Sequence, residues 1–187
     1  MSRLLELARL GCFLLVTRLA RRRVVVGRGL RLRCWLELDG PGQVTIGDHC
    51  TIDAMPGGKR EHVTLYTNSE SASIVIGQHV LLRSVRVSCK YRIAIGDHAL
   101  IEDAAIADTD FHSMDPSRVD AEEEPAECRI EIGPRTAIGS RSVICKGVTI
   151  GAGGRVIAGS IVRKDVPEGV TVLGNPARPL VAPRVAQ

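Results

Sequence analysis

The sequence predicts an all-β solenoid, a chain wound into a prism of short parallel strands, and three observations carry that expectation. An aliphatic residue recurs at every sixth position through Ile132, Ile138, Ile144, Ile150, Val156 and Val162. Glycine follows the aliphatic residue at Gly47, Gly77, Gly96, Gly133, Gly139 and Gly151, where a chain that turns every few residues needs minimal crowding. Aromatic residues are only 3% of the 187-residue chain, whereas Ile, Leu and Val number 15, 17 and 20, so the core is filled by branched aliphatics in thin layers. A helix repeats every 3.6 residues and a single strand alternates every two, so a period of six fits short strands separated by regular corners. Three hexads make one triangular coil, and coils stack at strand spacing, about 4.8 Å.

In chain order, the first element is a helix within 1–23. Leu4, Leu7, Leu10, Leu14, Leu15 and Leu19 follow helical periodicity, but Glu6, Arg9 and Arg18 make the segment too charged to span a bilayer. Arg21, Arg22 and Arg23 stand where a signal peptide would carry small residues and a cleavage site. The net charge of +4 is too small to argue for a nucleic-acid partner. Its distribution is uneven, because the first 35 residues hold nine Arg against the lone Glu6. Two readings follow for this helix. It packs on the body of the protein with its leucines buried and its arginines solvated, or it rests on the anionic inner face of a membrane.

Hexads then run through 24–167, among them Ile46–Thr51, Ile76–Leu81 and Ile95–Leu100, with weaker ones from Val26 and Leu32. Two breaks interrupt them, near 53–73 and 108–129, and breaks in a solenoid are loops that can carry function. The first has plain loop composition; the second opens with Asp108-Thr109-Asp110-Phe111-His112-Ser113-Met114-Asp115-Pro116 and passes through Glu122-Glu123-Glu124. Residues 168–187 form a C-terminal extension. The hydrophobic share of 44% and the charged share of 25% set aside both a disordered chain and a polytopic membrane protein. The six Cys form no CxxC pair, as expected of free thiols in the cytoplasm.

His112, between Asp110 and Asp115 in the second break, is the candidate general base, since a neighbouring carboxylate fixes the tautomer of an imidazole and raises its basicity. His49, His79 and His98 share the fourth slot of their hexads, a corner position where polar residues face solvent, and no metal is assigned to them. His62 has no assigned role. No serine or cysteine nucleophile stands beside a histidine in the sequence.

The hexads, of the form [I/L/V]-G-x-x-[S/T/A/V/C]-x, resemble those of the hexapeptide-repeat acyltransferases across about residues 26–180. Gly147-Val148-Thr149-Ile150-Gly151, Ala158-Gly159-Ser160, Lys164-Asp165 and Gly174-Asn175-Pro176-Ala177-Arg178 look most like the sugar and xenobiotic O-acetyltransferase branch. The resemblance implies a left-handed parallel β-helix and a homotrimer. It also implies acetyl transfer from acetyl-CoA to a hydroxyl of a sugar or glycan acceptor, with His112 as base and direct transfer in a ternary complex. Ser140 and Ala158 would meet pantetheine through backbone groups, and Lys164 and Arg178 would meet phosphate. The alternatives are an amine acceptor on a nucleotide-linked sugar and a non-catalytic scaffold. The γ-type carbonic anhydrases share the solenoid, but their second histidine ligand has no counterpart, since no His lies within ten residues after His112.

Overall fold

The computed structural model describes residues 3–19, 22–57, 62–110 and 124–180. Helix α1 (Arg3–Leu19) leads into three parallel faces. The first face stacks Arg23–Val26, Gln43–Ile46, Ser73–Ile76, Arg92–Ile95, Ile130–Ile132 and Thr149–Ile150. The second stacks Arg31–Leu32, Thr51–Asp53, Leu81–Arg83, Leu100–Glu102, Ala137–Ile138, Arg155–Val156 and Thr171–Gly174. The third stacks Trp35–Asp39, His62–Thr67, Arg86–Cys89, Ala105–Ala107, Val143–Ile144 and Ile161–Val162. A short helix, α2 (Pro125–Cys128), ends the second break. The coils form a left-handed parallel β-helix. The general rule for parallel crossovers favours the right hand, so this hand departs from it.

Register explains the period. Ile46, Ile76, Ile95, Ile132 and Ile150 pair in succession along the first face. Ile52, Leu82, Ile101, Ile138, Val156 and Val172 do so along the second. Leu65, Val87, Ile106, Ile144 and Val162 do so along the third. All of them are buried, and burying each such side chain contributes about 1.5–3 kcal/mol. The glycine after the aliphatic is a packing requirement: a Cβ on Gly96 would lie 2.6 Å from the Pro134 backbone nitrogen of the next coil.

The three corner histidines do more than face solvent separately. His49, His79 and His98 adopt left-handed backbone with φ of 59°, 55° and 59°. Their rings stack at centroid spacings of 5.1 and 4.8 Å, because parallel register places the same corner of successive coils one above another.

Three features differ from the sequence expectation. Within the break read as 53–73 lies a six-residue strand, His62–Thr67, with Val63, Leu65 and Thr67 turned inward. The intervening residues push it out of the hexad frame, and its last inward residue is polar, with Thr67 Oγ1 accepting the Gly42 N–H at 2.9 Å. The prism also continues beyond 167. A corner shortened by two residues moves the frame from Val162 to Val166, which bridges Ile150, and Val172 follows six later on the second face. Ala177–Pro179 then folds back antiparallel against Thr171–Gly174.

The third difference is α1. It docks on the first coil, but through its charged side. Glu6 lies 3.2 Å from Arg31 and 3.6 Å from Arg33, the Arg9 guanidinium donates to the Arg33 carbonyl, and Phe13 joins the core at 7% exposure. Leu4, Leu7 and Leu15 remain exposed while Leu10 packs against the core, so the reading in which the helix docks with all its leucines buried holds only in part. Two ion pairs, one backbone contact, the Phe13 anchor and the half-buried Leu10 hold the helix on the first coil.

Candidate active site

The chain leaves the prism for its second break at the edge between the third and first faces. Two residues after the inward Ile106, Asp108 also points inward and is fully buried. Its Oδ1 accepts the Lys90 N–H at 2.7 Å, its Oδ2 accepts the Tyr91 N–H at 2.8 Å, and the Cys89 thiol stands 3.4 Å from Oδ2. A carboxylate bonded to two main-chain amides of the preceding coil fixes the departure point of the loop. Asp110, exposed, places Oδ2 2.6 Å from Lys146 Nζ of the following coil. The loop returns through α2, where the Gly147 N–H donates to the Cys128 carbonyl at 3.0 Å. Gly147 has φ +73°, and a Cβ there would sit 2.4 Å from the Glu127 carbonyl oxygen. Adjacent residues, Lys146 and Gly147, therefore hold the two ends of the break, a role the sequence reading did not assign. His112 and Asp115 lie outside the described residues.

At the edge between the second and third faces, Ser140 and Ala158 occupy the same corner of successive coils. The Gly159 N–H donates to the Ser140 carbonyl at 2.8 Å. Both line a groove of about 550 Å³ with Asp103, Arg141 and Gly159 on the prism and Met55, Pro56 and Gly57 from the first break. Met55 is tied down by its N–H, which donates to Ser84 Oγ at 3.0 Å. The first break thus forms a wall of the groove, although its composition alone suggested only a loop.

The other two donor candidates stand elsewhere. Lys164 is exposed one coil beyond Lys146, on the edge that carries Asp110, since Ile144 pairs with Val162. Arg178 is exposed on the closing antiparallel strand, where its guanidinium donates to the Ala177 carbonyl at 2.9 Å. Within one chain, the groove and Asp110 are on different edges of the prism.

Burial pushes the Cys34 thiol up to about 11, with the Asp53 charge adding to the effect. Burial also raises Cys50, Cys89 and Cys145, and at Cys89 the Asp108 carboxylate reinforces it. A thiol that ionises late is a poor nucleophile at neutral pH. The unfolded thiol, with an ordinary value of 9.0, releases its proton before the folded one, so this contribution to stability is full below pH 9.0 and falls as pH rises toward about 11. Thermal melts across that interval should show a declining midpoint, and Cys34→Ala should flatten the decline.

His62 Nε2 lies 3.9 Å from Glu37 Oε2. Among the described residues, no group of three or more His, Cys, Asp or Glu side chains is placed to hold a metal ion.

No protein-family model matches the chain. Over 56 residues, 30% of this chain, it is 46% identical to a 2,3,4,5-tetrahydropyridine-2,6-dicarboxylate N-acetyltransferase from Clostridium perfringens, and the match covers 24% of that protein. The chain spans less than a third of the length of the curated relatives it matches. Among solved structures, the hexapeptide-repeat containing acetyltransferase VCA0836 from Vibrio cholerae is 26% identical, with a TM-score of 0.51 over 86% of this chain and 74% of that one. AntD, an N-acyltransferase from Bacillus cereus solved with dTDP and 3-hydroxybutyryl-CoA, shares the fold at 18% identity, with a TM-score of 0.65 over 88% of this chain and 86% of that one. The fold is that of the hexapeptide-repeat acyltransferases.

Proposed function

We propose that the protein transfers an acetyl group from acetyl-CoA to a hydroxyl of a sugar or glycan. The observation that carries this reading is the groove in which the Ser140 and Ala158 corners lie one above the other, open to a long donor and walled by Met55–Gly57. The likeness to an acetyltransferase over 86% of the chain supports it. In this reading the pantetheine arm lies in the groove, and Lys164 and Arg178 meet phosphate groups. His112 takes the acceptor proton as the acceptor oxygen bonds to the thioester carbonyl carbon; the C–S bond then breaks and the CoA thiolate leaves, to be protonated. Asp110, whose Oδ2 is engaged by Lys146, and Asp115 are the orienting candidates for the imidazole. A homotrimer brings the groove of one chain to the His112 edge of the next, which joins two features that a single prism keeps apart. Buried free thiols suit a reducing cytoplasm.

The second reading is an amine acceptor on a nucleotide-linked sugar, which a histidine base serves equally well. It is favoured by the 46% identity to an N-acetyltransferase over 56 residues. Thiol release from acetyl-CoA, measured across a panel of sugars and amino sugars, decides between the acceptors, and no release with any of them overturns the proposal. Ala158→Trp, which fills the groove, should raise KM for acetyl-CoA about tenfold or more and leave KM for the acceptor unchanged. An unchanged donor KM would remove the groove from donor binding.

A further inference from the structure

We propose that the outward face of α1 rests on an anionic lipid surface and holds the protein peripherally at a membrane. The helix is polarised in the reverse of the usual sense. Its charged residues Glu6 and Arg9 are spent on the first coil, Leu10 packs against the core, and Leu7 and Leu14 border the crevice with that coil. Leu4, Leu5, Leu15 and Val16 are exposed away from it, Leu4 to 80%. At 100° per residue Leu4, Ala8 and Leu15 fall on the side opposite Phe13, with Leu5 and Leu7 flanking them. A soluble surface helix presents charge there.

The charge around the patch selects lipid over a second copy of the chain. Arg3 and Arg18 are exposed on the same helix, and Arg23 is exposed shortly beyond it. The only acidic residue in the first 35 is Glu6, already paired with Arg31 and Arg33. Bringing two such faces together would oppose arginine to arginine, whereas anionic headgroups match them and accept the leucines at the acyl boundary. Among the described residues no helix is long and apolar enough to cross a membrane, so the contact is interfacial. The first coil then stands nearest the bilayer, with the candidate site on later coils.

Co-sedimentation of the full chain with vesicles of mixed phosphatidylglycerol and phosphatidylcholine, set against phosphatidylcholine alone, tests this without any assay of catalysis. Binding to the anionic vesicles only, weakened by salt, is expected. Leu4→Gln with Leu15→Gln should lower the partition coefficient about tenfold or more. Arg3→Gln and Arg18→Gln should each lower it about fivefold. These side chains are solvent-facing, so the melting midpoint and the light-scattering mass should not change. Wild-type protein left in the supernatant with both vesicle types overturns the proposal, as does equal binding to neutral vesicles. A drop in oligomeric mass on Leu4→Gln with Leu15→Gln assigns the face to a second copy and also overturns it.

Discussion

His112→Ala should lower turnover by roughly 10² to 10⁴, the range for losing a general base, and leave the melting midpoint, the oligomeric mass and the affinity for CoA unchanged. That separation follows from where the two functions sit. The groove proposed for the donor is built from corners on the edge between the second and third faces, and the segment carrying His112 leaves from the next edge. The acidic limb of the wild-type kcat/KM profile reports the base that must be deprotonated, and this limb should disappear in the variant. Retention of both the limb and the rate would remove His112 from the mechanism while leaving the donor groove standing. Asp110→Asn and Asp115→Asn then sort the orienting carboxylate from the residue that merely turns the loop. Asp110→Asn also weakens the contact with Lys146, so its rate should be read against that of Lys146→Met.

Asp108→Ala should destabilise the fold by about 2–6 kcal/mol, because it strips two part-buried amides of their acceptor at about 1–3 kcal/mol each. The carboxylate touches the Lys90 and Tyr91 amides at once, and the methyl group of the Ala variant accepts from neither. Asp108→Asn keeps a single carbonyl acceptor and turns an amide nitrogen toward the other N–H, so it should fall between wild type and Asp108→Ala. Urea unfolding gives the ranking. Since this residue also fixes the start of the segment that carries His112, kcat of the still-folded variants should fall in the same order. Equal stability of all three proteins would mean that water reaches these amides.

What was legible in the sequence was whatever repeats. Ile132 to Val162 in steps of six announced the inward column, and each of those residues is buried. Ser140 and Ala158 were legible only through the resemblance, and the structure shows them on one corner of successive coils, eighteen residues or one full coil apart. The pairing of Asp110 with Lys146 was not legible, since it depends on how many residues the break between Ile106 and Ile130 removes from the stack, and composition does not encode that number. The strand His62–Thr67 escaped for a similar reason, and the histidine stack because a shared slot reveals a column but not that the rings lie flat on one another. For α1, hydrophobic periodicity identified the helix but left its buried side open, because ion pairs and Phe13, with Leu10, decide the docking and periodicity does not encode them.

The two ends of the second face bear on polymerisation. A stack of parallel strands that simply stops presents open amides and carbonyls, onto which another copy can add rung by rung until a filament forms. Here α1 lies against Arg31–Leu32 at one end, its Arg9 occupying the Arg33 carbonyl. At the other end Ala177–Pro179 runs in the wrong direction for a parallel successor, and Pro179 has no amide hydrogen to offer one. Parallel addition is therefore blocked at both ends of this face among the described residues.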